Sequence, residues 1–428
     1  MILVLISVII LLALLILSVP VASSIAGVGV IVGYFFSYYP VFPSVGEITW
    51  SASTGFLLLS IPFFVLLGEI LMHSGIAKNI YFALHKWLSW LPGGLLHANI
   101  ASAALFSSIS GSSVATAATI TTVAMPQCEK YGYKPGLFAG TIAAGGTLGI
   151  LIPPSINLIV YGFLTNTSIP KLFIAGLVPG ILMSISFMAF IFFYSLYKKE
   201  NIQKDYQVTW KERFLALKEL IPIFILFVLI MSSIYTGFAT PTESAAVGVI
   251  ATLMITYFHG LLTFDVLKKS IRGTMVTTGM IMFIIIAANF LNFVLVSVGL
   301  IDQLSDFIEN LGISKYPVLI IVTLMYIVLG LFIETLSLMV ITVPIVAPIM
   351  VNLGFDPVWF GVYLIILIEM ALITPPVGLN LYVVQGVRKK GSITEVIKGS
   401  IPFVVIMCLM AVTLVIFPQI ALYFANYA

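Results

Sequence analysis

Long apolar runs, punctuated by Gly, Pro and small charged clusters, dominate the chain. A helix that crosses a bilayer needs about 20 mostly apolar residues. By that measure spans are expected at 2–19, 21–37, 54–74, 136–165, 171–197, 220–238, 243–260, 274–299, 359–388 and 400–425. Two more apolar stretches, 95–128 and 316–352, are each too long for one helix and have a polar or irregular middle. Both read as helical hairpins that enter the membrane and turn back. Segments 76–91 and 300–312 precede the hairpins and mix Lys, Trp, His, Asp and Glu with aliphatic residues. That mixture suits helices lying in the membrane interface.

The pattern repeats. One constant offset places Pro126 on Pro348, Gly132 on Gly354, Pro135 on Pro357, and Pro153 and Pro154 on Pro375 and Pro376. An offset one smaller places Pro20 on Pro241, and an offset one larger places Gly176 on Gly399 and Pro179 on Pro402. If hairpins count as no crossing, each half crosses the membrane five times. An odd number inverts the second copy relative to the first. Inverted repeats with paired broken helices are a signature of secondary transporters, because two pseudo-symmetric halves can exchange outward-open and inward-open states of similar energy.

Charge sets the orientation. With both termini on the periplasmic side, all of the 19 Lys and Arg residues except Lys171 and Lys315 fall on the cytoplasmic side, including those of the central loop 198–218. The positive-inside rule favours this arrangement. Counting one hairpin as a full span would instead put Arg388, Lys389, Lys390 and Lys398 outside, so the charges also support the hairpins.

Composition narrows the function. The chain has 428 residues, 61% hydrophobic and only 8% charged, with a mean hydropathy of +1.18. A soluble domain carries about 25% charged residues, so lipid must be the outer solvent here. The net charge of +3 implies no nucleic-acid partner. Cys128 and Cys408 lie in apolar runs without paired spacing, and His73, His85, His97 and His259 are scattered. A disulfide framework and a zinc site are thereby excluded. The first apolar stretch lacks a positive n-region, so it reads as a spanning helix and not as a signal peptide. No Gly-rich phosphate loop is present, so energy must come from an ion gradient.

Four places could carry chemistry. The first hairpin tip reads Ser110-Gly111-Ser112-Ser113. Non-helical backbone at membrane depth must line a cavity or be buried in protein. Its carbonyls and hydroxyls suit a hard cation such as sodium. Its amides at a helix start suit an anion. The alternative is a small-residue packing surface between helices. The first break runs from Gly145 through Gly149 to Pro153-Pro154-Ser155 and Asn157; the second runs through Thr374-Pro375-Pro376 and Gly378 to Asn380. Proline frees a carbonyl one turn back, so these stretches are expected to unwind, simple kinks being the alternative. The second tip carries Glu334, Thr335 and Ser337. A carboxylate at depth is costly unless paired or functional, and Glu69 and Glu369 raise the same question. Glu243 differs: Thr240-Pro241-Thr242-Glu243 reads as a capping box.

These strings resemble the large membrane subunit of TRAP transporters, the DctM family. The resemblance runs in order through both halves: Gly68-Glu69-Ile70, Leu91-Pro92-Gly93-Gly94-Leu95, Ser110-Gly111-Ser112, Gly132-Tyr133, Ile152-Pro153-Pro154-Ser155, Ala175-Gly176-Leu177-Val178-Pro179-Gly180 and Thr240-Pro241-Thr242-Glu243-Ser244. It implies an all-α integral membrane protein of inverted-repeat, elevator type, with two re-entrant hairpins and two broken helices. It also implies a sodium-coupled, binding-protein-dependent importer of organic acid anions, of the C4-dicarboxylate or sialic acid class, in a bacterial inner membrane. The expected partners are a small four-helix membrane subunit and a periplasmic substrate-binding protein. By resemblance one sodium site joins Ser110, Gly111, Ser112 and Ser113 to Gly146, Gly149 and Pro153. The other joins Glu334, Thr335 and Ser337 to Thr374, Pro375 and Gly378. With no intramembrane Lys or Arg to take a carboxylate, the solute is expected on Ser113, Pro154, Ser155, Asn157, Thr335, Pro376 and Asn380.

The implied division is scaffold and arm at 1–94, hairpin and broken helix at 95–165, a span and loop at 166–219, a second scaffold and arm at 220–315, a second hairpin and broken helix at 316–388, and a last span at 389–428. The rival transporter reading is a self-sufficient ion-coupled anion carrier of similar architecture. An intramembrane enzyme would need a catalytic constellation at depth, such as His-x-x-x-His or paired aspartates, and none occurs. A purely structural subunit has no need of unwound helices.

Overall fold

A computed structural model describes residues 2–37, 40–198, 208–300, 303 and 314–426. Every regular element among them is helical. The first half comprises α1 (Ile2–Ile16), α2 (Val21–Phe36), α3 (Val45–Thr54), α4 (Ser60–Ser74), α5 (Ile76–Leu88), α6 (Leu95–Ser110), α7 (Ser113–Tyr131), α8 (Pro135–Leu148), α9 (Ile156–Thr165) and α10 (Ile169–Lys198). The second comprises α11 (Trp210–Tyr235), α12 (Pro241–Phe258), α13 (Phe264–Ser297), α14 (Lys315–Gly330), α15 (Thr335–Asn352), α16 (Pro357–Ala371), α17 (Leu379–Arg388), α18 (Ile393–Ile416) and α19 (Gln419–Ala425).

The repeat holds in the backbone. Helices α7 and α15 begin at Ser113 and Thr335, and α8 and α16 begin at Pro135 and Pro357; both pairs stand at the same offset as the matched prolines. Both Pro-Pro pairs, Pro153-Pro154 and Pro375-Pro376, have cis peptide bonds. Both hairpins and both breaks fall where the sequence places them, and α5 matches the first interfacial segment. The second, 300–312, lies almost wholly outside the described residues.

Seven described helices are long and apolar enough to cross a bilayer, fewer than the ten expected spans. The breaks cut two of those spans into shorter helices, α1 and α2 have only 15 and 16 residues, and one of the seven, α15, is instead an arm of the second hairpin. Helices α11 and α13 begin at 210 and 264, about three turns earlier than hydropathy suggests. Each carries a charged first turn that projects beyond the apolar run. The last span ends at Ile416 and is followed by the separate helix α19. Residues 45–54 form α3, which hydropathy alone does not reveal.

Local chemistry fixes the helix starts. Thr209 with Glu212, and Thr240 with Glu243, form complete capping boxes at α11 and α12, so Glu243 is a cap as expected. Asp356 caps α16 ahead of Pro357 at the first helical position. Such caps satisfy amides that lack intrahelical partners.

Helices α2, α3, α4, α12 and α13 pack together, α11 joins them through α12, and α1 lies on α2. The hairpins, broken helices, α10, α18 and α19 form the second packed group, and α5 touches both. Within that second group the halves interlock: α9 lies against α15 and α16, while α17 lies against α7 and α8. Helices α8 and α18 cross so closely that a Cβ on Gly399 would stand 2.0 Å from the Gly136 carbonyl oxygen, and one on Gly140 2.2 Å from the Gly399 carbonyl carbon. Small residues of this kind let helix backbones meet where lipid offers no hydrophobic drive.

Candidate functional site

The two hairpin tips converge inside the protein. Gly111 ends α6 with φ +64, a left-handed conformation, and a Cβ there would strike Ile156 at 2.7 Å. Ser112 then caps α7, its hydroxyl accepting from the Ala115 amide at 3.3 Å. At the second tip Glu334, which the repeat pairs with Ser112, caps α15 in the same way. Its Oε2 accepts from the Ser337 amide at 3.2 Å and from the Ser337 hydroxyl at 3.3 Å. Glu334 and Ser337 thus have a local partner each, in a cap that proximity along the chain explains.

The next residue on each side reaches further. The Ser113 hydroxyl donates to Glu369 Oε2 at 2.5 Å, and the Thr335 hydroxyl donates to Glu369 Oε1 at 3.4 Å. Glu369 is fully buried on α16, just before the second break. It therefore joins both tips inside the protein.

Each tip also meets its broken helix. A Cβ on Gly146 would stand 3.0 Å from the Ser113 carbonyl oxygen, and one on Gly149 2.0 Å from the Ser107 Cβ. Ser107 donates to the Gly146 carbonyl at 3.0 Å. Across the pseudo-symmetry, Gly330 at the end of α14 faces Ala371. At the first break Ser155 caps α9 by accepting from the Leu158 amide at 3.3 Å. At the second, Thr374 donates to the Met370 carbonyl at 2.7 Å, and Gly378 turns the chain with φ +59. Asn157 and Asn380, the first polar residues after the two Pro-Pro pairs save Ser155, are fully buried. Among the described residues neither amide group has a hydrogen-bond partner. An unpartnered buried amide is costly, so these two, each the second residue of the helix after its break, are candidate ligand contacts.

A cavity of about 340 Å³ lies between the tips and the first packed group. Ser110, Gly111, Ser112, Ser113, Asn157, Glu334 and Thr335 line it. The expected site residues Gly146, Gly149, Pro153, Pro154, Ser155, Ser337, Thr374, Pro375, Pro376, Gly378 and Asn380 do not; they lie behind or beside it in the tips and breaks. Pro376 is exposed, the others buried or half-buried. The opposite wall comes from α4 and α13, including Gly68, Glu69 and Thr277. A Cβ on Gly68 would stand 2.8 Å from the Ser110 Cα, so α4 abuts the first tip directly. Glu69 packs on Gly273 of α13 and lies 3.2 Å from His73 Nε2. The lining includes the carboxylates of Glu69 and Glu334 but no Lys or Arg. Among the described residues no cluster of His, Cys, Asp and Glu could hold a transition metal.

Paired helical hairpins facing paired broken helices, around a largely apolar cavity that the polar tip residues enter, define an inverted-repeat membrane transporter. The family described as "Tripartite ATP-independent periplasmic transporter, DctM component" matches residues 8–420, and the chain belongs to that family. It is 34% identical to the C4-dicarboxylate TRAP transporter large permease protein DctM of Vibrio cholerae, over 96% of this chain and 95% of that one. It is 32% identical to the sialic acid TRAP transporter large permease protein SiaM of the same organism, over 86% of each. The crystal structure of the Alcanivorax borkumensis YdaH transporter shares the fold, with a TM-score of 0.60 and 14% identity over 90% of this chain and 88% of that one. The two Vibrio cholerae relatives are permease subunits, and this chain is likewise a permease subunit and not an enzyme.

Proposed function

We propose that this chain is the sodium-coupled permease of a tripartite importer, carrying an organic acid anion of the C4-dicarboxylate or sialic acid class across a bacterial inner membrane. The observation that carries the reading is the charge of the cavity. Two helix N-termini and several hydroxyls border it, yet among the described residues its only ionisable side chains are Glu69 and Glu334, with Glu369 just behind. Such a site repels an anion until cations enter. Oxygen donors of this kind suit a hard monovalent cation. Sodium at each tip neutralises the carboxylates and leaves the helix N-termini to receive the solute.

The first sodium is assigned to Ser110–Ser113 with Gly146, Gly149 and Pro153, and the second to Glu334, Thr335 and Ser337 with Thr374, Pro375 and Gly378. Asn157 and Asn380 complete these shells or meet the solute, alongside Pro154, Ser155 and Pro376. The two packed groups move relative to each other, the hairpin group carrying the cavity as an elevator along α4 and α13. A small membrane subunit and a periplasmic binding protein complete the system, and both termini face the periplasm. The test is uptake into proteoliposomes holding the co-purified subunits, with the binding protein outside. Uptake is expected to need both the binding protein and sodium, with a sodium Hill coefficient above one. Uptake unchanged in choline or potassium would overturn the coupling; uptake without the binding protein would favour the self-sufficient carrier.

A further inference from the structure

We propose that Glu369 is the positioning residue for both hairpin tips, fixing which way their hydroxyls point and so making both tips cation ligands. The inference rests on the sodium reading above. A serine or threonine hydroxyl has one proton and two lone pairs. Ser113 and Thr335 both spend that proton on Glu369, one on each carboxylate oxygen. What each presents to its surroundings is then lone pairs only. Lone pairs bind a cation; they repel the carboxylate of an organic acid. Ser113 and Thr335 therefore serve the ions and not the solute, although the resemblance alone assigns both to the solute as well.

Several observations support this. The two donors occupy matching positions of the repeat, each the first residue of its returning helix. The acceptor is fully buried and forms no salt bridge among the described residues. A carboxylate at the N-terminal ends of two helices is well placed electrostatically. In metal sites, outer carboxylates that take the proton of a ligand orient it and raise its basicity. One carboxylate shared by two tips also links them: the side chain that orders one hydroxyl orders the other. The pseudo-symmetry stops here, since the residue that the repeat pairs with Glu369 is Thr147, whose hydroxyl donates to the Ala144 carbonyl at 2.7 Å. One side chain therefore serves both halves.

The test uses sodium itself as the probe, read as the rise in melting temperature of the purified full-length protein in sodium chloride against choline chloride. Glu369→Gln replaces one acceptor oxygen by an N–H donor, so one hydroxyl must turn its lone pair inward. The expected result is about a tenfold rise in half-saturating sodium and a Hill coefficient nearer one. Ser113→Ala and Thr335→Ala, which leave Glu369 in place, should each raise half-saturating sodium comparably. Added to Glu369→Gln, the two together should do less than their separate effects combined. A merely structural Glu369 would lower the melting temperature at every salt concentration and leave half-saturating sodium unchanged. That result overturns the proposal while wild-type stabilisation by sodium leaves the coupling standing. A wild type indifferent to sodium overturns both. If Glu369→Gln does not fold, unchanged half-saturation in the two alanine variants overturns the proposal alone.

Discussion

The two halves share a backbone and differ in charge. Helix starts, cis Pro-Pro pairs and buried asparagines match across the repeat. Yet where the first half has Ser112 the second has Glu334, and where the first has Thr147 the second has Glu369. The first hairpin is closed by the neutral tip Gly111-Ser112, while the second turns through 331–334 and ends in a carboxylate. Symmetry of form gives two exchangeable states. Asymmetry of charge distinguishes two equivalent folds: the second half carries the carboxylate that caps its own tip and the one that accepts from both tips.

Packing gives the largest way to break this comparison. In the first half the glycine sits on the broken helix, where a Cβ on Gly149 would lie 2.0 Å from Ser107; in the second it sits on the hairpin, where a Cβ on Gly330 would lie 2.6 Å from the Ala371 methyl. Gly149→Val meets backbone as well as side chain and is expected to yield no monodisperse protein on size-exclusion chromatography. Gly330→Ala meets mainly a methyl group and is expected to lower the melting temperature by several degrees while the protein stays folded. Equal damage from both would mean that the two hairpins pack alike.

The asparagines are the next test. If Asn157 and Asn380 are unpartnered until a ligand arrives, each costs the empty protein about 1–3 kcal/mol. Asn157→Leu and Asn380→Leu, of similar volume, should then raise the melting temperature in sodium-free buffer and abolish stabilisation by sodium. A fall of several degrees in both would show that each amide is already satisfied. A rise in only one would show that the halves divide the ligand unequally.

The smallest test concerns the caps. Ser112→Ala removes the α7 cap at a cost of about 1 kcal/mol. Glu334→Gln keeps an acceptor oxygen for the Ser337 amide and removes only the charge. The first should lower the melting temperature slightly and raise half-saturating sodium less than Glu334→Gln does, since it removes a neutral donor and not a charge. The second should leave the melting temperature alone and raise half-saturating sodium several-fold. Equal sodium effects would erase the proposed difference between the tips.

Much of this is legible in the chain. Hairpins, breaks and the repeat announce themselves through Pro and Gly, because those residues act locally on the backbone. Hydropathy misses the helix starts at 210 and 264, because it detects lipid contact and not helicity; Thr209 with Glu212 is the capping signal that finds the first. The role of Glu369 is not legible. Its partners lie 256 and 34 positions away along the chain, and nothing in the local string around it names either. Nor can the sequence separate the cavity wall from what supports it, since Ser113 and Gly146 look equally suited until the backbone is folded.

The pairing of α2 with α13 has a consequence for the lipid. Gly29 and Gly33 let α2 lie close along Phe290, Leu291 and Val294. With 16 residues against 34, α2 is about 24 Å long and α13 about 51 Å. A hydrocarbon core is about 30 Å thick. The bilayer must therefore pinch beside α2 or the helix flanks must be drawn into it, at a cost of fractions of a kcal/mol per Å. Acyl-chain length becomes a control on the resting shape of this membrane patch, and turnover in vesicles should peak with chains shorter than those that best suit a span of about 20 residues.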